Sequence, residues 1–168
     1  MKRKWPVEHS SGHFLLNLTV MAGRELKVSE IRLVYKNKVK AAERIQIRNG
    51  QDAFDVFWRA WDTEVIEHIE EMKMLLLDRS NKALGVVSLS RGGTTGTIID
   101  IKLIMQYAIK ANAHGIILAH NHPSGNLNPS EADRKITDRI EKASKTLEIH
   151  LLDHLIISPG REYRSMQE

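Results

Sequence analysis

The sequence predicts an α/β fold, a sandwich in which helices lie against a mixed sheet. Strand-like apolar runs alternate with amphipathic helical patterns from about residue 47 to the C-terminus, which is typical of a sheet covered by helices. Two of these runs, residues 72–78 and 83–90, are separated by a short turn and predict a hairpin. A chain of 168 residues can bury one good core, so we expect one domain with an appendage.

The appendage is the first part of the chain, residues 1–46, for which we predict a basic arm with one or two short strands. Residues 14–20 form an isolated apolar run, and residues 28–36 alternate apolar and polar side chains as an amphipathic strand does. The first fifty residues carry eleven Lys and Arg against four Glu, a net charge of +7. The remainder carries fourteen Lys and Arg against seventeen Asp and Glu, a net charge of −3.

A run of cations crosses the boundary between the arm and the domain. It consists of Lys36, Lys38, Lys40, Arg44 and Arg48. If these side chains contact phosphates, the arm gives weak, non-specific DNA binding. If they form a solvated strand edge, they only prevent other chains from pairing there, since lysine commonly guards exposed strands. We favour the second interpretation.

The predicted domain, residues 47–168, begins with a helix for which Asp52 is a suitable N-cap. Four aromatic residues recur at the spacing of one helical face, which indicates packing against the core: Phe54, Phe57, Trp58 and Trp61. The hairpin follows this helix. A glycine-rich loop at residues 92–97 lacks the lysine and the spacing of a phosphate-binding loop, so we assign it no phosphate site.

Two further helices and two strands complete the predicted domain. Asp100 begins a helix that runs to about Ala113, with an inward face formed by Leu103, Ile104, Tyr107 and Ala108. Residues 115–119 form a short apolar run that is typical of a buried strand. A helix over residues 130–147 buries Ile136, Ile140, Ala143 and Leu147, and residues 149–157 form the last strand.

The strand at residues 115–119 leads into two histidines, His120 and His122, whose side chains point to the same face because side chains alternate along a strand. A loop rich in Pro, Gly and Asn follows, and Ser130 is a suitable N-cap for the next helix. Asp133 lies on the first turn of that helix. Two imidazoles and one carboxylate that converge in this way predict a zinc site with three protein ligands and an open fourth position, the arrangement of catalytic zinc.

Each part of this motif has an ordinary explanation when it is taken alone. Ser130 and Asp133 are a common capping pair, and two histidines separated by one residue occur on many surfaces. Their combination at this spacing, directly after an apolar strand, favours metal binding. The sequence has no cysteine, so a zinc ion has to be held by nitrogen and oxygen alone.

The spacing His-x-His, seven residues, Ser, two residues, Asp resembles the metal-binding signature of the JAB/MPN metallohydrolases, the JAMM motif. Residues 120–133, HNHPSGNLNPSEAD, and residues 152–157, LDHLII, resemble the RadC branch of that family. The resemblance covers the chain from about residue 47 onward, and nothing in the sequence resembles the helix-hairpin-helix segments of the longer RadC form. It implies the cytidine-deaminase-like sandwich of the MPN domain, bound Zn²⁺ and hydrolysis of an amide bond.

The resemblance also implies a glutamate that acts as general base and a serine that donates to the oxyanion, here Glu70 and Ser130. Glu70 shares its strand face with the apolar Met72, whereas Glu71 shares its face with Lys73, which we expect to be the wetter face. Burial would raise the proton affinity of Glu70, as a base requires. The alternative is that Glu70 is a capping or solvated residue at a helix–strand junction.

Asp153 and His154 interrupt the apolar run of the last strand. A structural pair whose polar groups satisfy each other is the simpler interpretation. The alternative is that one of them orients a ligand imidazole from behind.

The motif and the resemblance together predict a zinc-dependent metallohydrolase of the metallopeptidase or isopeptidase type that cleaves an amide bond. We expect a peptide or protein conjugate as substrate, and the residues leave open whether the amide is a peptide, an isopeptide or something smaller. The alternative is a nucleic-acid-binding accessory protein of DNA repair or mobile DNA, in which the metal is structural or nuclease-like. No apolar run approaches the ~20 residues of a membrane span, and the basic N-terminus lacks the apolar segment of a signal peptide. We therefore expect a cytoplasmic protein with no membrane partner, and the sequence leaves its oligomeric state open.

Overall fold

The computed structural model describes residues 39–92 and 99–167. A 3₁₀ turn at Ala41–Glu43 comes first. The helices are α1 (Gly50–Ala60), α2 (Ile101–Lys110) and α3 (Glu131–Thr146). The strands are β1 (Glu71–Leu77), β2 (Ala83–Arg91), β3 (Gly115–Asn121), β4 (His150–Ile157) and β5 (Tyr163–Ser165).

The five strands form one mixed sheet with the order β2-β1-β3-β4-β5. β1 pairs antiparallel with both β2 and β3, β3 pairs parallel with β4, and β5 pairs antiparallel with β4. A parallel pair needs a long crossover, which α3 supplies between β3 and β4. The predicted α/β class, with a mixed sheet flanked by helices, is confirmed.

Helices cover both faces of the sheet, and the sequence pattern of β1 and β3 reflects this. Every residue of these two strands is buried, so they are apolar almost throughout and do not simply alternate. Leu75, Ile117 and the other residues of their parity pack under α1, in the core that contains Phe54 and Phe57. Residues of the opposite parity, such as Leu118, pack under α2 and α3. β3, in the middle of the sheet, is thus enclosed from both sides.

The first helix begins three residues earlier than the sequence predicts. Asn49 is its N-cap, and the Asn49 side chain accepts a hydrogen bond of 2.9 Å from the backbone N–H of Asp52. Asp52 lies inside the first turn and accepts in return from the N–H of Arg48 at 2.9 Å. The two side chains therefore cap the helix together, and the prediction of Asp52 as N-cap is wrong.

Four other details of the predicted elements are wrong. α2 ends at Lys110, before the left-handed Asn112 at φ 52°, and Tyr107 on this helix is 37% exposed while Met105 is buried in its place. Leu147 lies just past α3 and is 43% exposed. β4 is not the last strand, because β5 pairs with its C-terminal half.

The structure describes only part of the predicted arm and of the glycine-rich loop. The predicted strands at residues 14–20 and 28–36, the cations Lys36 and Lys38, and residues 93–98 lie outside the described residues. In the part that is described, Arg44 forms an ion pair of 3.1 Å with Asp78. Among the described residues, no helix is long and apolar enough to cross a membrane.

The α1 side of the core gives a prediction for stability. Phe57 is fully buried in the cluster between α1 and the sheet. Phe57→Ala should lower the free energy of unfolding by about 3–5 kcal/mol, since it removes apolar contacts and leaves a cavity. Arg59→Ala, an exposed position on the same helix, should change it by less than about 0.5 kcal/mol. Urea denaturation measures both, and equal effects would contradict this packing of α1.

Candidate metal centre

The C-terminal end of β3 delivers the two histidines. In the antiparallel pairing of β1 with β3, Met72 lies opposite His120. The imidazole of His120 is almost fully buried, at 1% exposure, on the side of the sheet that α3 covers. His122 follows just beyond the strand, and its backbone N–H donates to the carbonyl of Ile157 on β4 at 3.0 Å. Backbone hydrogen bonds to neighbouring strands therefore fix the positions of both histidines.

The start of α3 delivers the carboxylate. Ser130 is the N-cap, and Asp133 is the third residue of the helix. The Ser130 hydroxyl accepts from the backbone N–H of Asp133 at 3.1 Å, and the Asp133 carboxylate accepts from the backbone N–H of Ser130 at 2.7 Å. This capping box holds the carboxylate at the helix start, so the capping role and the predicted ligand role are compatible.

The donor atoms of His120, His122 and Asp133 lie within 4.8 Å of one another. The Nε2 atoms of the two histidines are 3.0 Å apart. Asp133 Oδ1 is 3.4 Å from His120 Nε2, and Asp133 Oδ2 is 3.6 Å from His122 Nε2. Within residues 39–92 and 99–167, these three side chains are the one group with such a spacing. Two imidazole nitrogens and one carboxylate oxygen are a donor set that suits zinc.

The remaining ring nitrogens of the two histidines are occupied by the protein. His122 Nδ1 lies against the backbone carbonyl of Asn126, which can only accept, so Nδ1 carries the proton and donates it. His120 Nδ1 lies 2.8 Å from Nε2 of His154. Both Nε2 atoms are thus the ones left to face the Asp133 carboxylate, as metal ligation requires.

Charge and burial shift the pKa values in this group. Burial raises the pKa of Asp133, but hydrogen bonds from His120, His122 and Ser130 outweigh it and hold that pKa well below its usual range. The hydrogen bond to Asp133 raises the pKa of His122, against the opposite effect of burial. The Glu70 carboxylate adds a smaller upward contribution to the same pKa. The pocket therefore attracts positive charge, either a proton or a cation.

Glu70 lies immediately before β1, on the side of the sheet that holds the metal-ligand candidates. It is half-buried, and its carbonyl accepts a hydrogen bond of 2.9 Å from the N–H of Gly92. Continuing the β1–β3 register by two residues from Met72 and His120 places Glu70 opposite His122. Its location is thus compatible with the predicted role as base, and that role stays a prediction.

Glu71 points to the opposite side of the sheet. The prediction that this face is the more solvent-exposed one is wrong. Glu71 is 6% exposed and Lys73 is 5% exposed. Their charged groups are 3.5 Å apart, and the Lys73 ammonium lies 4.9 Å from the centre of the Trp61 ring. Trp61, at the end of α1, covers the pair. The strand parity that separates Glu70 from Glu71 holds, but both faces of β1 are dry here.

Ser130 is exposed, and its hydroxyl is engaged. It donates a hydrogen bond of 2.6 Å to Asp133 Oδ2. A serine hydroxyl has one proton, so Ser130 can donate to an oxyanion only when it releases this bond. The predicted role of Ser130 in oxyanion stabilisation stays a prediction, with this requirement attached.

The side chains of Asp153 and His154 do not meet, since adjacent strand residues point to opposite faces, but the Asp153 carboxylate accepts a hydrogen bond of 2.7 Å from the backbone N–H of His154. Asp153 accepts a hydrogen bond of 2.8 Å from the hydroxyl of Ser165, which fastens β5 to β4. His154 is fully buried behind His120 and contacts the Thr137 hydroxyl at 2.6 Å. Burial, together with the nearby His120, lowers the pKa of His154 to about 3, so this imidazole is neutral at physiological pH.

Sequence reasoning missed Asn121, the residue between the two histidines. Its side chain is fully buried on the α1 side of the sheet and makes three hydrogen bonds. It donates to the carbonyls of Ile66 and Ile69 at 2.7 and 2.9 Å, and it accepts from the N–H of Glu71 at 2.8 Å. These contacts fix the segment that carries Glu70. The available signal was strand parity, which places Asn121 on the face opposite the two histidines. A buried amide there needs hydrogen-bond partners.

Comparison with known protein families agrees with the site. A model of the family described as RadC-like JAB domain matches residues 47–168. The chain is 46% identical over 125 residues to a UPF0758 protein of Flavobacterium johnsoniae, covering 73% of this chain and 52% of that protein. It is 38% identical over 154 residues to a UPF0758 protein of Aquifex aeolicus, covering 85% of this chain and 65% of that protein.

A third relative gives the same result over a shorter stretch. The chain is 48% identical over 99 residues to a UPF0758 protein of Porphyromonas gingivalis, covering 59% of this chain and 44% of that protein. The chain thus spans about half the length of the curated relatives it matches.

Metal content gives the first prediction for the site. The protein loaded with zinc should hold about one ion per chain, and His122→Ala should lose it, because removing one of three ligands leaves an incomplete site. His150→Ala is the matched control, since His150 is an exposed histidine at the opposite end of the sheet. Elemental analysis after dialysis measures both variants. Wild-type zinc content in His122→Ala would place the ligands elsewhere.

The metal-free protein should show a stability that depends on pH through His122 and Asp133. The lowered pKa of Asp133 contributes stability above its unfolded value near 3.8, and this is lost as the pH falls. The raised pKa of His122 contributes stability that is complete below its unfolded value near 6.5, and this is lost as the pH rises through the folded value. The pair therefore stabilises the metal-free protein most between these two values.

Urea denaturation with a chelator at about pH 5.5 and about pH 8.5 tests this. The stability difference between wild type and Asp133→Asn should be larger at the lower pH. An equal difference at both values would mean that His122 and Asp133 do not interact as charges in the folded protein.

Proposed function

This chain belongs to the RadC-like JAB domain family, and from this premise we propose that it is a zinc-dependent metallohydrolase that cleaves an amide bond. The observation that carries the proposal is the convergence of two imidazole Nε2 atoms and one carboxylate within 4.8 Å. His120, His122 and Asp133 would hold the ion. Three protein ligands would leave one coordination position for water or substrate, which distinguishes catalytic from structural zinc sites.

The surroundings of the site support a reaction at its outer edge. The side chains of His122 and Asp133 are 17% and 14% exposed, whereas that of His120 is 2% exposed. The site is therefore open on the side of His122 and closed on the side of His120. A peptide or a protein conjugate can approach from the open side, and this is the substrate class that we propose.

When bound, zinc supplies a Lewis acid and lowers the pKa of a water to about 7. The protein side chains then have separate tasks. Glu70, beside His122, accepts a proton and delivers it to the departing amine. Ser130 releases its bond to Asp133 and donates to the oxyanion. His120 and Asp133, held by the sheet and by the helix cap, keep their orientation throughout.

A nucleic-acid function would depend on the basic arm, and the described residues support it less. Of the five cations in the run, Lys40, Arg44 and Arg48 are described. Arg44 forms an ion pair with Asp78 at 3.1 Å, so its charge is already balanced within the protein. The hydrolase is therefore the function that the geometry supports best.

Mass spectrometry of a peptide library incubated with the zinc-loaded protein tests the activity and identifies a substrate. Glu70→Gln then tests the base. Because glutamine keeps the size but cannot accept the proton, the variant should fold and bind zinc normally while its rate falls by roughly 10²–10⁴. Full activity in this variant would remove Glu70 from the mechanism.

The control for this substitution is Glu67→Gln, at an exposed position in the same segment, which should keep the wild-type rate. Glu71→Gln is unsuitable as a neutral control. It weakens the buried pair with Lys73, and a loss of activity there would reflect a loss of stability. Chemical denaturation of each variant separates the two causes.

A further inference from the structure

Behind His120, three groups form a continuous chain of hydrogen bonds, here called the column. They are the His154 side chain, the Thr137 hydroxyl and the backbone carbonyl of Asp133. His120 Nδ1 is 2.8 Å from His154 Nε2, and His154 Nδ1 is 2.6 Å from the Thr137 hydroxyl. Thr137 in turn lies 2.6 Å from the backbone carbonyl of Asp133. Thr137 and His154 are both buried, at 8% and 0% exposure. The column therefore links two of the candidate ligands through the interior of the protein.

The direction of each hydrogen bond in the column follows from the last one. A backbone carbonyl can only accept, so the single Thr137 proton is donated to Asp133. The Thr137 oxygen must then accept from His154, which places the His154 proton on Nδ1. A neutral imidazole carries one such proton, so His154 Nε2 is an acceptor. His120 consequently carries its own proton on Nδ1 and has a bare lone pair on Nε2.

We propose that Thr137 and His154 are positioning residues that fix the ring orientation and the tautomer of His120, so that His120 Nε2 is the nitrogen offered to the metal. This rests on the proposed function in that it takes the ion at His120, His122 and Asp133 as given. His122 also carries its proton on Nδ1, and there the acceptor is the backbone carbonyl of Asn126. His120 faces the interior and has no such carbonyl in this role, so side chains supply the acceptor.

The Thr137 hydroxyl is the part of the column that can be removed with the least change of shape. In Thr137→Val, His154 Nδ1–H loses its acceptor inside the protein, where an unsatisfied donor is costly. Moving the His154 proton to Nε2 relieves that cost but forces the His120 proton onto its own Nε2, which blocks metal ligation. Thr137→Ser keeps the hydroxyl and should restore the wild-type behaviour.

Thr146→Val is the matched control. Thr146 lies on the same helix, and its hydroxyl donates to the carbonyl four residues back at 3.1 Å, as Thr137 does, but at the exposed end of α3. It reproduces the loss of a hydroxyl–carbonyl bond without any contact to a histidine. A general effect on helix α3 would appear in both valine variants.

The experiment measures the zinc dissociation constant by competition with a chelator, and the tautomer of His120 by ¹⁵N NMR of the metal-free protein at mildly alkaline pH. Wild type, Thr137→Ser and Thr146→Val should bind zinc equally, and His120 should carry its proton on Nδ1 in all three. Thr137→Val should bind zinc about 10–100-fold more weakly. The Nδ1 signature of His120 should be lost or reduced in this variant, which a purely structural role of Thr137 would not cause.

Failures of the two proposals are distinguishable. Zinc binding by wild type with an unchanged dissociation constant in folded Thr137→Val would overturn the positioning role alone. The Nε2–H tautomer of His120 in metal-free wild type would also overturn it, whatever the stability of the variants. A wild-type protein that binds no zinc would overturn the proposed function and the positioning role together.

Discussion

The alternation of side chains at the end of β3 is the constraint on which the site depends. β3 is enclosed by β1 and β4 within the sheet and by helices on both faces. Its position in the sheet therefore determines the face to which each of its last side chains points. His120 goes to the side of α3, and Asn121 goes to the side of α1. His120 there meets the helix that carries Asp133. A shift of one residue in the register would exchange the two sides and dismantle the site.

Burying polar groups at this depth is costly unless each finds a partner, and the site meets that condition. Both sides of the strand end are filled by amide, imidazole and hydroxyl groups that bond to one another. The resulting network has little freedom to rearrange, because its side chains are carried by β3, β4 and α3. The ligand candidates are thus oriented before any ion arrives, and this reduces the entropy cost of binding.

Much of the fold and of the candidate site could be predicted from the sequence, because the patterns that specify them are local. The period of two separates Glu70 from Glu71, and the capping pattern locates Asp133. The parts that were missed depend on contacts between distant segments. That Lys73 is buried follows from Trp61, which covers it from the end of α1. The role of Asn121 follows from the path of the chain before β1. No local pattern specifies either contact.

The two faces of the sheet also position different groups of the candidate site. On the α1 side, the Asn121 amide holds the segment that carries Glu70, whereas on the α3 side the helix and β4 hold the imidazoles and the carboxylate. Glu70 and the ligand candidates are therefore positioned by different contacts on the two sides of β3. A substitution on one side should disturb its own group and leave the other in place. Both groups meet where β1 begins and β3 ends, so the antiparallel pairing of these two strands sets their relative position.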